Sequence, residues 1–228
     1  MPHTAPDRPA APADAGPCLV TGFEPFGGEA INPSWEIARA LDGQVIGGWP
    51  VVAVQLPCVF AASLPALRAA IRRHRPRAVL ALGLAGSRSA ISLERVAVNF
   101  SDARIPDNAG AQPVDQPVIA GAPAAYFTRL PVKALAARLQ AADLPAEVSF
   151  TAGSFVCNQV FFGLMHALKR RPGVPAGFIH VPPLPAQAAA HPGSRPLALE
   201  AQVRALQTVI AALAAGTAEL AAAGGRID

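Results

Sequence analysis

Short extended runs alternate along this chain with longer segments in which apolar residues return every three to four positions. That alternation leaves few folds open. The extended runs fall at residues 17–23, 50–56, 78–84, 94–100, 147–151 and 176–181, and the helical segments at 33–41, 61–74, 123–140, 156–171 and 196–222. Strands separated by helices pair in parallel, with the helices covering both faces of the sheet. The expected class is therefore α/β: a three-layer α/β/α sandwich around a mostly parallel, twisted mixed sheet, in a single domain. A length of 228 residues suits one domain with ample core. Pro65 and Pro131 fall within helical segments and are expected to shorten or kink them. Residues 102–122 hold Gly and Pro without period and read as a long surface loop, a candidate lid.

Composition narrows the function classes. Hydrophobic residues make up 52% and aromatics 6%, so Ala, Val and Leu fill the core. No apolar run is long enough for a membrane span, and no membrane partner is expected. Residues 1–17 are rich in Pro and Ala and lack an apolar stretch of the kind a secretory signal needs. They read as a disordered extension ahead of a catalytic α/β domain over 18–228. A net charge of +4 invites a nucleic-acid reading. The basic runs Arg68–Arg77 and Lys169–Arg171, however, close helical segments, where cations complement the helix dipole, and no aromatics interleave with them. Nucleic acid is not an expected partner. Cys18, Cys58 and Cys157 form no C-x-x-C pair, which suits a reducing cytoplasm. Cys18 reads as a core residue. No H-E-x-x-H or paired Cys/His motif supplies a metal site, and neither metal nor cofactor is expected.

The chemistry concentrates at Gly153-Ser-Phe-Val-Cys-Asn158. The strand-like Glu147–Thr151 precedes it, and Val156, Val160, Leu164 and Leu168 follow at helical spacing. Cys157 therefore falls in the first turn of a helix, where free N–H groups and the macrodipole favour an anion. Such a place lowers a thiol pKa, although most free cysteines are simply buried hydrophobes. A nucleophilic thiol needs a base. Among five histidines, His180 stands out at the end of the strand-like Ala176–Val181, facing the crevice where open α/β sheets hold ligands. A hydrogen-bonded core histidine is the bland alternative. The third member should be a carboxylate. Glu94 opens an alternating run, but it is one of 15 acids, and spacing alone leaves it a surface residue.

The glycine-bearing Thr21-Gly-Phe-Glu-Pro-Phe-Gly-Gly28 raises a phosphate reading. Both phosphate fingerprints fail in it, for it has neither G-x-G-x-x-G nor a Lys-Ser/Thr ending. Phe23 and Phe26 suggest instead an apolar wall for a small flat ligand.

Six blocks carry a resemblance. Val20-Thr-Gly-Phe-Glu-Pro-Phe-Gly-Gly-Glu29, Ile31-Asn-Pro-Ser-Trp-Glu36 and Ile91-Ser-Leu-Glu-Arg-Val-Ala-Val-Asn99 resemble signature blocks of the pyroglutamyl peptidase I family. So do Asp102-Ala-Arg-Ile-Pro-Asp-Asn108, Ala152-Gly-Ser-Phe-Val-Cys-Asn158 and Gly177-Phe-Ile-His-Val-Pro182, in the family's order. The resemblance implies a cysteine peptidase whose triad is Glu94, Cys157 and His180. It also implies a pocket for the five-membered lactam of an N-terminal pyroglutamyl residue. Phe23, Phe26, Ile105, Phe155 and Val156 would line that pocket, Cys58 would border it, Asn32 would fix the loop or the ligand, and Arg104 would assist. N-terminally pyroglutamylated peptides are the implied partners, and a homotetramer the implied assembly. Gln159, Ser87 and Leu84 depart from residues common in relatives; the last two leave affinity open. The alternatives are a nucleoside phosphorylase-like enzyme and a non-catalytic ligand-binding relative on the same architecture.

Overall fold

A computed structural model of the chain describes residues 16–224, so the extension expected at the N-terminus lies, up to residue 15, outside the described residues. Among the described residues, nine strands and five α-helices make up the fold. The strands are β1 (Cys18–Phe23), β2 (Val45–Ile46), β3 (Trp49–Leu56), β4 (Ala78–Leu84), β5 (Ile91–Glu94), β6 (Val96–Val98), β7 (Ala125–Phe127), β8 (Ala146–Ser149) and β9 (Ala176–Val181). The helices are α1 (Pro33–Leu41), α2 (Phe60–His74), α3 (Val132–Ala141), α4 (Val156–Ala167) and α5 (Leu199–Ala214).

The main sheet runs in the order β2-β3-β1-β4-β9-β5-β8. β1 pairs in parallel with β3 and β4, and β4 in parallel with β9. β5 then runs antiparallel to β9 and parallel to β8, so the sheet is mixed. Alternating side chains feed two cores, as the period of a strand requires. Val20, Leu80, Leu82, Ile91, Leu93, Ile179 and Val181 pack with α1, α3 and α5. Leu19, Phe23, Val79, Ala81, Ala176 and Phe178 pack with α2 and α4. The result is the three-layer α/β/α arrangement. Helix α4 lies so close to α2 that a Cβ on Gly163 would stand 2.3 Å from Leu64.

Several boundaries differ from the sequence reading. The run 94–100 is two strands: β5 ends in the main sheet at Glu94, and β6 leaves it to pair with β7 in a separate ribbon. At the break the Arg95 N–H donates to Ser149 O and its carbonyl accepts from Thr128 N. The helix expected over 123–140 starts only at Val132, with Pro131 at its N-cap, because residues 125–127 are drawn into β7. Pro65 is carried within α2, which continues to His74 and closes with Arg75 in the left-handed region (φ 43°). The last helix spans 199–214 rather than 196–222; Gly216 (φ 70°) follows its end.

The long loop is fastened rather than free. Ser101 and Gln116 form a β-bridge, and Gln112 Nε2 donates to Ala103 O. The buried Asp107 accepts from the backbone N–H groups of Phe60, Ala109 and Ala111 at 2.7–2.9 Å.

Candidate active site

Strand register brings the acid and the histidine together. On β9, His180 shares parity with Ala176 and Phe178, so it projects toward α2 and α4. On β5, Ile91 and Leu93 enter the opposite core, which turns Ser92 and Glu94 to the same side as His180. His180 Nδ1 lies 2.7 Å from Glu94 Oε1, with Glu94 wholly buried and His180 4% exposed. A carboxylate only accepts, so Nδ1 carries the hydrogen and Nε2 is left as the basic nitrogen. The Phe178 ring meets His180 edge-on at 4.9 Å between centroids, which fixes the plane of the imidazole.

Cys157 arrives from α4, at the second position of the helix. The turn into that helix uses Gly153 at φ 77°, a left-handed conformation that glycine adopts at no steric cost. No side chain caps the helix start. The thiol rests on β4: a Cβ at Gly83 would stand 2.8 Å from Cys157 Sγ, and Gly83 is the register partner of His180. Neighbouring strands run about 4.8 Å apart, so thiol and imidazole share one small volume of space. The helix is held there by buried amides. Asn158 bonds Val98 N, Val98 O and Phe100 O, while Gln159 Nε2 donates to Phe60 O and Ser63 Oγ.

Burial dominates the electrostatics. It pushes the Cys157 thiol upward, aided by Cys58 and Glu94 and opposed by Arg88. Burial lowers His180; its bond to Glu94 and the charge of Glu94 oppose that, and Arg88 adds to it. Burial thus opposes the charged form of each group. For the thiol expected to be lowered by the helix terminus, burial acts in the opposite direction.

Beside these groups lies a cavity of about 300 Å³. Phe23, Phe26 and Phe155 wall it, Cys58, Ile31 and Leu84 add apolar surface, and Glu29, Arg88 and Ser87 bring polar groups. Phe26 and Phe155 have ring centroids 5.2 Å apart, and Phe60 buttresses Phe155 edge-on at 5.1 Å. Asn32 also borders the cavity, yet its polar atoms serve the loop: Nδ2 donates to Glu24 O, and Oδ1 accepts from Ser34 N and Ser34 Oγ. Val156, the first residue of α4, is buried and outside the lining, and Arg104 and Ile105 are exposed on the long loop and outside the lining as well. Arg88, Glu29 and Ile31 were not singled out from sequence. Arg88 sits in the loop after the buried strand β4, the only signal that could have marked it. Among the described residues no group of three or more His, Cys, Asp and Glu could hold a metal, and no helix is long and apolar enough to cross a membrane.

The chain is similar to known proteins in sequence and in fold. The profile of the pyroglutamyl peptidase family matches residues 17–216. The pyrrolidone-carboxylate peptidase of Klebsiella pneumoniae is 57% identical over 193 residues, covering 85% of this chain and 90% of that protein. That of Escherichia fergusonii is 55% identical over 207 residues, covering 91% and 97%. The crystal structure of Bacillus amyloliquefaciens pyroglutamyl peptidase I superposes with a TM-score of 0.86 at 43% identity, covering 90% of this chain and 100% of that one. Sequence match, shared fold and near-complete coverage on both sides agree: the chain belongs to the pyroglutamyl peptidase family.

Proposed function

We propose that the protein is a cysteine exopeptidase that removes an N-terminal pyroglutamyl residue from peptides, with Cys157 as nucleophile, His180 as base and Glu94 as the group that orients the base. The observation that carries this reading is the buried 2.7 Å bond between His180 and Glu94, beside a small aromatic cavity bordered by the Cys157 thiol. His180 Nε2 takes the thiol proton as Sγ attacks the carbonyl that joins pyroglutamate to the next residue. Glu94 stabilises the imidazolium. The backbone N–H of Cys157, at an uncapped helix start, receives the oxyanion. His180 then protonates the leaving amine, and water, deprotonated by the same nitrogen, releases pyroglutamate from the thioester.

The lactam ring fits between Phe23, Phe26 and Phe155. Asn32 holds the loop that follows Phe23 and carries Phe26, and Val156, at the start of α4, backs the wall. Arg104 and Ile105, exposed in the free protein, are assigned supporting contacts to the bound peptide beyond the ring. The comparisons do not favour a nucleoside phosphorylase-like activity or a non-catalytic relative. The free thiols support a cytoplasmic location, and the resemblance supports a homotetramer, as do the exposed Phe127 and Phe150 that border one shallow cleft.

Hydrolysis of a pyroglutamyl coumarin amide beside leucyl and prolyl amides tests the reading. An apolar pocket imposes a large cost on a free α-ammonium, so only the pyroglutamyl amide should turn over, and Cys157→Ser should abolish it. Comparable cleavage of the leucyl amide would overturn the assignment.

A further inference from the structure

Arg88 lies in the loop between β4 and β5, and the steps above make no use of it. Its Nη1 donates to Glu94 Oε1 at 2.6 Å, the same oxygen that receives His180 Nδ1 at 2.7 Å. Its Nη2 donates to the carbonyl of Thr151 at 2.8 Å, in the stretch between β8 and the helix that begins at Val156. The Arg88 side chain is 20% exposed and that of Glu94 0%. Glu94 Oε2 makes no hydrogen bond among the described residues, so the carboxylate is oriented entirely through Oε1.

A carboxylate buried against a neutral imidazole alone would be costly, and a charge-assisted bond to a guanidinium offsets that cost. The planar fork of Arg reaches two acceptors at fixed angles, which an ammonium on a flexible stem cannot do equally well. We propose that Arg88 is a positioning residue for the triad: one guanidinium holds Glu94 Oε1 against His180 and ties the Thr151 segment that delivers Cys157 to the same carboxylate. The proposal rests on the triad reading above. His180 faces Glu94 from β5, Arg88 from the β4–β5 loop and Cys157 from α4, so Arg88 is the cation in that set. Removing it should leave the imidazole easier to protonate.

The test measures kcat and KM across pH for wild type, Arg88→Met, Arg88→Lys and Glu94→Gln on the pyroglutamyl coumarin amide. Circular dichroism and melting verify folding, and NMR titration of the His180 imidazole gives a readout independent of turnover. Arg88→Met should lower kcat by about thirtyfold or more while KM changes by less than about threefold, since the guanidinium, although it borders the cavity, acts chiefly through Glu94. The acid limb of kcat and the His180 titration should both move to higher pH. Arg88→Lys, which keeps the charge, should return the acid limb toward wild type but leave kcat several-fold low. A folded Arg88→Met with wild-type kcat, with kcat lost but both pH readouts unmoved, or with KM alone raised would overturn the proposal. If Arg88→Met does not fold, wild-type kcat in Arg88→Lys overturns it instead. Absent turnover in wild type, or normal turnover in Glu94→Gln, would sink the triad reading itself and the proposal with it.

Discussion

At the scale of single residues, the position of Cys157, the proposed nucleophile, depends on an atom that is missing. Gly83 has no positive φ, so its role is purely steric: it leaves room beneath Cys157 Sγ and the Phe178 ring, each 2.8 Å from where a Cβ would stand. Contacts that short force something to shift, in a packed site that tolerates little movement. Gly83→Ala should therefore lower kcat by about a hundredfold, as a displacement of about 1 Å at reacting atoms does, with the fold kept. Steady-state kinetics and circular dichroism on the variant check this, and near-normal turnover would mean that the start of α4 yields easily. Cys157, His180 and Glu94 were legible because their residue types carry chemistry and because six motif blocks occur in order. Gly83 and Arg88 were not, since each acquires its role from register: Gly83 as the strand partner of His180, Arg88 by reaching across six residues to Glu94.

Among the elements, α2 shows how a loop completes a helix. Its N-cap, Val59, offers no side-chain acceptor, and the carboxylate of Asp107 takes the Phe60 N–H instead, from 47 positions along the chain. Burial tends to raise Asp107, but bonds from Phe60, Ala111, Ala109 and Gly110 outweigh it and hold the group below its usual 3.8. A folded-state value below the unfolded one adds stability that is present above pH 3.8 and lost as pH falls through the folded value. Asp107→Ala should cost about 2 kcal/mol, because it orphans charge-assisted donors, and the variant should lose the acid-side dependence that Asp107 confers. Denaturant melts at pH 7 and pH 3, with amide exchange at Phe60, Ala109 and Ala111, measure both; unchanged exchange there would show that water replaces the carboxylate. The same loop illustrates what periodicity cannot convey. Residues 102–122 have no local pattern because their hydrogen bonds close irregular turns within the loop and reach out to Phe60, with no repeated spacing. Residues 125–127 read as helix because their pairing partner, β6, lies beyond a break at Arg95 that no propensity marks. The central strands and α1 were legible, their apolar runs being long and bounded by turn residues.

For the molecule as a whole, two buried thiols make alkaline pH the weak side. Burial pushes Cys18 from 9.0 to about 12. Burial, with Glu24 and Asp107 nearby, does the same to Cys58. Between those values the unfolded chain releases protons that the folded one retains, so stability should fall as pH rises through that window. Each thiol contributes a slope of up to about 1.4 kcal/mol per pH unit. Urea melts at pH 8 and pH 10.5 should show the loss, and Cys58→Ala should reduce the slope by roughly one thiol's share. An equal slope in both proteins would place the alkaline sensitivity elsewhere.

The division of the sheet into two cores has a practical side. Glu94, His180, Cys157 and the Phe23 and Phe155 rings belong to the α2/α4 layer or its rim, while α1, α3 and α5 close the opposite layer over an apolar core of their own. Arg204 is exposed on α5. A linker attached at Arg204 would anchor the protein to a bead or surface by the layer that carries none of those groups, leaving the mouth of the cavity turned toward the solution and open to peptide.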